Sequence, residues 1–574
     1  MPKIKAMLLV AGSVLATSLA GSAQAAEPAD RCAMLAQSGR VAWPDPTTRI
    51  ISAVGHGAEA APAPRLPPGV PPMPALELPA HCDVIATMHE RTGVDGQHYA
   101  IRFHLRLPDS WNGKFFMQGG GGTNGELGDA IGRLSGGAAP ALVQGYAVMS
   151  QDSGHDNATN TVPARGGVSA FGLDPQARAD YGGTSLRPTV EAAKALVAAF
   201  YQRPPQKSYF VGCSKGGQEG MMLATRYPDL FDGIVAAAPG FALPRAALAE
   251  AWDTQALAGV VRAKGEPVTL ASLAGTFSAA DGQLVRRAVL AACDKADGVV
   301  DGIIADYTRC TSERVLPELA KITCAGDKQD SCLTPAQLTA LRKIHDGARD
   351  PKGKPIYSGF YWDAGWGDDG WRVWKTGAGP VPSINVAMGS PSLGAVFTTP
   401  PTALPEDNQA KLDYLLHADM NAEAAKIYAT GDGFTRSAWQ DIGSRSADLS
   451  AFQKRGGKLV VPQGVSDPVF SVEDTIAWYK EVDQRDGGGA AGFVRVFPVP
   501  GMGHCQGGPA TDGYDAFGAV VAWVEHAKAP ESLIATANPR SPWPGRTRPL
   551  CAFPKVARYD GTGDVEKAAS FTCS

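Results

Sequence analysis

The sequence predicts an α/β fold: a mostly parallel sheet flanked by helices, with one large helical insertion. Three observations lead there. An apolar, β-forming run, Tyr209-Phe210-Val211-Gly212-Cys213, breaks at Ser214-Lys215-Gly216-Gly217 and passes into a helix-compatible segment from Gln218 to Thr225. Further strand-like runs, alternating with helical periods, lie on both sides of that unit. From about 240 to 445 the alternation stops, and it resumes afterwards.

Along the chain, the N-terminus has the form of an export signal. Lys3 and Lys5 supply charge, Ala6 to Ala20 is apolar, and Ala23-Gln24-Ala25 has the small-x-small pattern of a cleavage site. The run is too short for a membrane span, and no later stretch reaches about 18 uninterrupted apolar residues. All ten cysteines lie beyond this segment: Cys32, Cys82, Cys213, Cys293, Cys310, Cys324, Cys332, Cys505, Cys551 and Cys573. An even number in an exported chain favours disulfides over metal thiolates, and there is no Cys-x-x-Cys. Proximity suggests Cys293 with Cys310, Cys324 with Cys332 and Cys551 with Cys573, and leaves Cys32 with Cys82 beside Cys213 and Cys505. Sequence alone does not fix that connectivity. Net charge is −4 with both signs mixed, so nothing resembles a nucleic-acid or membrane-binding surface.

The proline- and alanine-rich stretch 60–79 reads as an extended surface segment. Tyr99 to Leu107 alternates as a strand does, and Trp111 to Gln118 reads as a turn and a buried strand running into Gly119-Gly120-Gly121-Gly122. Tyr146 to Ser150 is another short strand, Thr189 to Tyr201 has a helical period, and Phe231 to Pro239 is a strand after the Ser214 unit. Beyond the insertion, Gly456 to Gly464 and Phe493 to Phe497 read as the last strands.

Gly212-Cys213-Ser214-Lys215-Gly216 fits a nucleophile elbow, in which a strained strand-to-helix turn projects the serine Oγ from the end of a sheet. Alone the motif is weak. With 67 glycines in 574 residues, chance supplies on the order of half a match. What strengthens it is Cys213, because Gly503-His504-Cys505 places another cysteine directly after a histidine. A disulfide holds its Cα atoms within about 7 Å. If Cys213 and Cys505 pair, Ser214 and His504 are brought together as nucleophile and base. Asp467, in the loop after a late strand, completes the order Ser214, Asp467, His504, which is that of α/β-hydrolases. Asp474 and Asp483 are rival acids but fall in helix-like sequence, and His155 is a rival base with no cysteine beside it. The oxyanion donors expected are the N–H of Lys215 and those of Gly120 and Gly121.

Within the insertion, Trp362, Trp366, Trp371 and Trp374 either line an aryl pocket or form a local core. Cys293-Asp294-Lys295-Ala296-Asp297-Gly298-Val299-Val300-Asp301-Gly302-Ile303 sets carboxylates among glycine turns. That suits a hard cation such as Ca²⁺ without fitting EF-hand spacing, but on the residues alone two successive Asp-Gly turns are the favoured reading.

Gly-Cys-Ser-x-Gly-Gly at Ser214, the Asp467-Pro468 loop and Gly503-His504-Cys505 together resemble the tannase and feruloyl esterase family. That family also includes bacterial hydrolases of mono(2-hydroxyethyl) terephthalate. The resemblance runs from Trp111-Asn112-Gly113 to the Cys551 and Cys573 tail. It implies an α/β-hydrolase core with a large lid, a Cys213–Cys505 disulfide, and a structural calcium in the lid. Asp294, Asp297 and Asp301 would supply side-chain oxygens to that ion, and Val299 and Ile303 backbone carbonyls. The expected organisation is a signal peptide over 1–25, core over 26–239, lid over 240–445 and core again over 446–574. The expected activity is secreted or periplasmic hydrolysis of small aromatic esters, feruloyl or galloyl in type. Lid residues 383–400 contain no Arg or Lys, which disfavours an acyl group with a second carboxylate such as that of mono(2-hydroxyethyl) terephthalate. An acyltransferase or peptidase keeps the same machinery. A non-catalytic binding protein would have lost a triad residue, and none is missing.

Overall fold

A nine-stranded sheet organises the chain. Its strands are β1 (Arg49–His56), β2 (His81–Thr92), β3 (His98–Pro108), β4 (Lys114–Gln118), β5 (Ala147–Gln151), β6 (Lys207–Cys213), β7 (Gly233–Ala237), β8 (Lys458–Gly464) and β9 (Val494–Val499). The computed structural model describes Met1 and residues 28–574 apart from 38, 62–75 and 380. The expected signal segment therefore lies outside the described residues, Met1 aside, as does most of the proline-rich stretch.

The spatial order is β1-β2-β3-β5-β4-β6-β7-β8-β9. β1, β2, β3 and β5 pair antiparallel in succession. From β5 through β4, β6, β7 and β8 to β9 every pairing is parallel. Parallel strands need crossovers, and these cover both faces of the sheet. The strands are accordingly apolar on both sides. Phe115, Phe210, Ile234, Leu459 and Val496 enter one core, while Phe116, Tyr209, Val235, Val460 and Phe497 enter the other. The first core includes helix α1 (Leu186–Tyr201) and helix α2 (Lys215–Arg226).

Between β7 and β8, residues 238–457 add no strand to the main sheet. This segment opens with the 20-residue helix α3 (Leu243–Arg262) and contains the short helix α4 (Asp369–Lys375). Two π-helical turns follow, Asn385–Gly389 and Ser392–Val396, neither of which has a signature in the residue pattern. Trp362, Trp366 and Trp371 pack on one another inside the insertion, with ring centroids 4.7 and 6.2 Å apart. After β9, helix α5 (Ala516–His526) packs on the sheet, and two small hairpins end the chain.

Five disulfides form: Cys32–Cys82, Cys213–Cys505, Cys293–Cys310, Cys324–Cys332 and Cys551–Cys573. The three short-range bridges are the ones proximity suggested. Cys293–Cys310 closes a loop of the insertion around the Asp294–Ile303 stretch, with Cα atoms 5.3 Å apart. Cys324–Cys332 pins a neighbouring loop at 5.0 Å, between two helices of the insertion. The long-range pair Cys213–Cys505 is the one the resemblance implied, and Cys32–Cys82 is the remainder. No helix among the described residues is long and apolar enough to cross a membrane.

Candidate active site

Strand β6 ends at Cys213 and α2 begins at Lys215, so the whole reversal of direction falls on Ser214. Its backbone sits at φ 64°, ψ −118°, a conformation that costs a non-glycine residue about 1–3 kcal/mol. The bend is held from below. Ser214 N–H donates to the Ala237 carbonyl at 3.1 Å, and the Ser214 carbonyl accepts from Gln218 N–H at 2.9 Å and Gly240 N–H at 3.1 Å. The flanking glycines are required by close approach. A Cβ on Gly212 would lie 2.5 Å from the Gly216 carbonyl, and one on Gly216 would lie 2.7 Å from the Gly120 carbonyl oxygen.

The Cys213–Cys505 disulfide, with Cα atoms 6.1 Å apart, joins the residue before Ser214 to the residue after His504. The Asp467 carboxylate lies 2.9 Å from His504 Nδ1 through Oδ2. Its Oδ1 accepts from the N–H groups of Val469 and Phe470, at 3.0 and 3.1 Å. The acid is thus fully buried and fixed at both oxygens. His504 stands edge-on to Trp374 and Phe470, with centroids 5.0 and 5.3 Å away. Both of those rings line the same cavity as Ser214. Ser214 Oγ makes no hydrogen bond within the described residues, and catalytic hydrogen bonds are often long before substrate binds.

The rival acids have structural partners. Asp474 pairs with Arg445 at 2.8 Å, and Asp483 accepts from Ala490 N–H at 3.1 Å. His155 is wholly buried and stacked on Phe171 at 3.8 Å, and burial pushes its imidazole down to about 3. It is a packing residue behind the glycine loop.

One expectation for the oxyanion loop needs correction. Gly120 N–H donates to Glu219 Oε2 at 3.0 Å and is not free to meet an oxyanion. The cause is a buried network absent from the sequence reading. Lys215 Nζ reaches Glu219 Oε1 at 3.1 Å, one helical turn on, and lies 4.6 Å from the Tyr181 ring centre. Glu219 Oε1 also accepts from Asn124 at 2.8 Å. The Lys215 ammonium is thus already paired with Glu219, and burial lowers its pKa. Neither Gly121 N–H nor Lys215 N–H has an acceptor among the described residues. For Lys215 this follows from its place at the helix start, where backbone donors have no intrahelical partner.

Asp363, from the insertion, is a second residue that sequence reasoning missed. Its Oδ2 accepts from Ser466 Oγ at 2.7 Å and from Gly501 N–H at 2.6 Å, which ties the loop of Asp467 to the loop of His504. Burial pushes its carboxyl up to about 6.

Tyr181, Leu243, Trp374, Phe397 and Phe470 give the cavity a largely apolar lining. Of the run Trp362, Trp366, Trp371 and Trp374, Trp374 lines it, and the other three form a local core.

Far along the chain, Asp294 accepts from Gly302 N–H at 3.1 Å and Asp297 from Ala305 N–H at 2.9 Å. Burial pushes these carboxyls up to about 6 and about 7. The carbonyls of Val299 and Ile303 accept no hydrogen bond from the described residues, although Ile303 is buried. Orphaned carbonyls beside carboxylates fit the oxygen chemistry of a hard cation. Asp301 is drawn to Arg548, however, and among the described residues no three His, Cys, Asp or Glu side chains gather as metal ligands.

Residues 82–574 match the family model described as tannase and feruloyl esterase. The chain is 41% identical to a mono(2-hydroxyethyl) terephthalate hydrolase of Piscinibacter sakaiensis, over 94% of this chain and 90% of that one. It is 30% identical to a probable feruloyl esterase of Arthroderma benhamiae, over 92% and 91%. The solved structure of feruloyl esterase B from Aspergillus oryzae superposes with a TM-score of 0.71, at 22% identity, covering 95% of this chain and all of that one. An α/β-hydrolase sheet, an elbow serine and matches spanning nearly the whole chain agree: the protein belongs to the tannase and feruloyl esterase family of carboxylic ester hydrolases.

Proposed function

We propose that the protein is an exported serine esterase that releases aromatic acids from small esters, with Ser214 as nucleophile, His504 as base and Asp467 as the orienting acid. The carrying observation is the 2.9 Å Asp467–His504 pair on a loop covalently joined to the neighbour of Ser214. His504 takes the Ser214 proton as Oγ attacks the ester carbonyl, and Asp467 stabilises the imidazolium that forms. The N–H groups of Lys215 and Gly121 receive the oxyanion. His504 returns the proton to the departing alcohol, and water then releases the acid from Ser214. The aromatic lining supports an aryl acyl group. The relative that hydrolyses mono(2-hydroxyethyl) terephthalate raises a carboxylated acyl group as a second reading. Against it, the one lysine lining the cavity is already paired with Glu219.

On this reading Ser214→Ala loses about 10⁴-fold or more of kcat on methyl ferulate, methyl gallate and mono(2-hydroxyethyl) terephthalate alike, with Tm unchanged. Turnover retained in the pure variant refutes the assignment. Export is supported by the N-terminal signal pattern and by five disulfides, which persist in oxidising compartments.

The insertion is read as a lid carrying a structural calcium, held by Asp294, Asp297, Asp301 and the Val299 and Ile303 carbonyls. Bound there, the ion neutralises buried carboxylates and takes no part in the ester chemistry. Chelation lowers Tm, added Ca²⁺ restores it, and Asp297→Asn abolishes the difference. A Tm indifferent to chelator, with no calcium in the purified protein by elemental analysis, refutes the site.

A further inference from the structure

One acidic side chain lines the cavity and has no part in this mechanism. Helix α3 starts beside the nucleophile, since Gly240 N–H bonds the Ser214 carbonyl and the helix follows three residues later. Leu243, Ala247 and Glu250 lie at helical spacing on one face of α3, and all three line the cavity. Seven residues of helix rise about 10 Å, so these side chains mark a track along the cavity that Ser214 also lines, with Glu250 at the end away from Leu243. An aryl-acyl group with a substituent at its distal end has that reach.

Glu250 is buried, and its Oε2 has no hydrogen-bond partner. Its room comes from Gly389, where an added Cβ would fall 1.8 Å from that oxygen. The charged groups facing it are Lys375 and Asp253, and they pair with each other. No counter-charge is therefore dedicated to Glu250, and burial pushes its carboxyl up to about 8. Burial without a counter-charge favours the uncharged acid, which has one O–H to donate and a carbonyl to accept.

We propose that Glu250 is a specificity residue whose carboxyl pairs with a phenolic hydroxyl at the far end of the acyl group. A phenol both donates and accepts, which matches an uncharged carboxyl in both directions. A distal carboxylate finds no unpaired cation here and loses its hydration. The site thus selects hydroxylated aryl-acyl esters over unsubstituted ones and over carboxylated ones such as terephthaloyl. This rests on the esterase reading above.

The test compares methyl 4-hydroxycinnamate, methyl cinnamate and methyl 4-carboxycinnamate on the wild type, Glu250→Gln and Glu250→Leu. The expected wild-type kcat/KM favours the hydroxylated ester by about tenfold or more. Glu250→Gln retains most of that preference, and Glu250→Leu brings it to within about twofold while still cleaving methyl cinnamate. Binding of the uncleaved esters to Ser214→Ala protein, read by calorimetry, needs no change at Glu250 and is expected to show the same order. A preference unchanged in Glu250→Leu, or equal affinities in the Ser214→Ala protein, overturns the proposal while leaving a serine-dependent esterase intact. Methyl cinnamate cleavage that survives Ser214→Ala overturns the esterase reading, and this proposal with it.

Discussion

On the sheet side of the cavity, Ser214, Lys215 and the 119–122 loop are placed by backbone hydrogen bonds, touching glycines and a buried ion pair. On the insertion side, Trp374, Met388, Ser392, Phe397 and Glu250 come from α3, α4 and two π-helical turns with the residue after them. The first wall has almost no freedom. Adding a methyl group at Gly212 or Gly216 would force backbone against backbone, whereas the second wall is made of side chains whose exchange leaves the sheet alone. On the proposed reading, the first wall carries the reaction and the second the choice of ester.

Breaking the link between the elbow and the base gives the largest effect after loss of Ser214 itself. Cys213→Ala with Cys505→Ala frees the His504 loop from the elbow, and a misplacement near 1 Å costs on the order of 10²-fold in rate. Cys551→Ala with Cys573→Ala, which unlinks the two C-terminal hairpins, lowers Tm but leaves kcat within about twofold. Stopped assays on both pairs, beside thermal melts, separate the two roles. Equal losses of kcat would show that the Cys213–Cys505 bridge serves stability alone.

The first wall was legible in the sequence because its constraints are local or covalent. A strand ending at Gly-x-Ser-x-Gly, four glycines after another strand, and cysteines adjoining both Ser214 and His504 mark positions without any knowledge of packing. The strand runs were legible for the same reason, since a parallel strand buried on both faces is apolar throughout. Glu219 was within reach, four residues after Lys215 on one helix, but nothing local distinguishes a buried i, i+4 pair from a solvated one. Its carboxylate is what takes Gly120 out of the oxyanion loop. Asp363 and Glu250 carry no local signal. Asp363 bonds residues more than 100 positions away, and Glu250 reads in sequence as one polar residue of an alanine-rich helix. The π-helical turns likewise arise from how the insertion packs over the cavity.

The most direct test of the division between the walls is a kcat/KM panel across aromatic and short aliphatic esters for one variant of each. Glu219→Gln loosens the loop under the oxyanion, and Phe397→Ala removes an aromatic side chain from the insertion wall. The expected result is that Glu219→Gln lowers kcat/KM by about tenfold on every ester, with the ratios between esters unchanged. Phe397→Ala is expected to shift the aromatic-to-aliphatic ratio by about tenfold and to leave the aliphatic rate nearly intact. Ratios that move in Glu219→Gln, or a uniform loss in Phe397→Ala, would contradict the account.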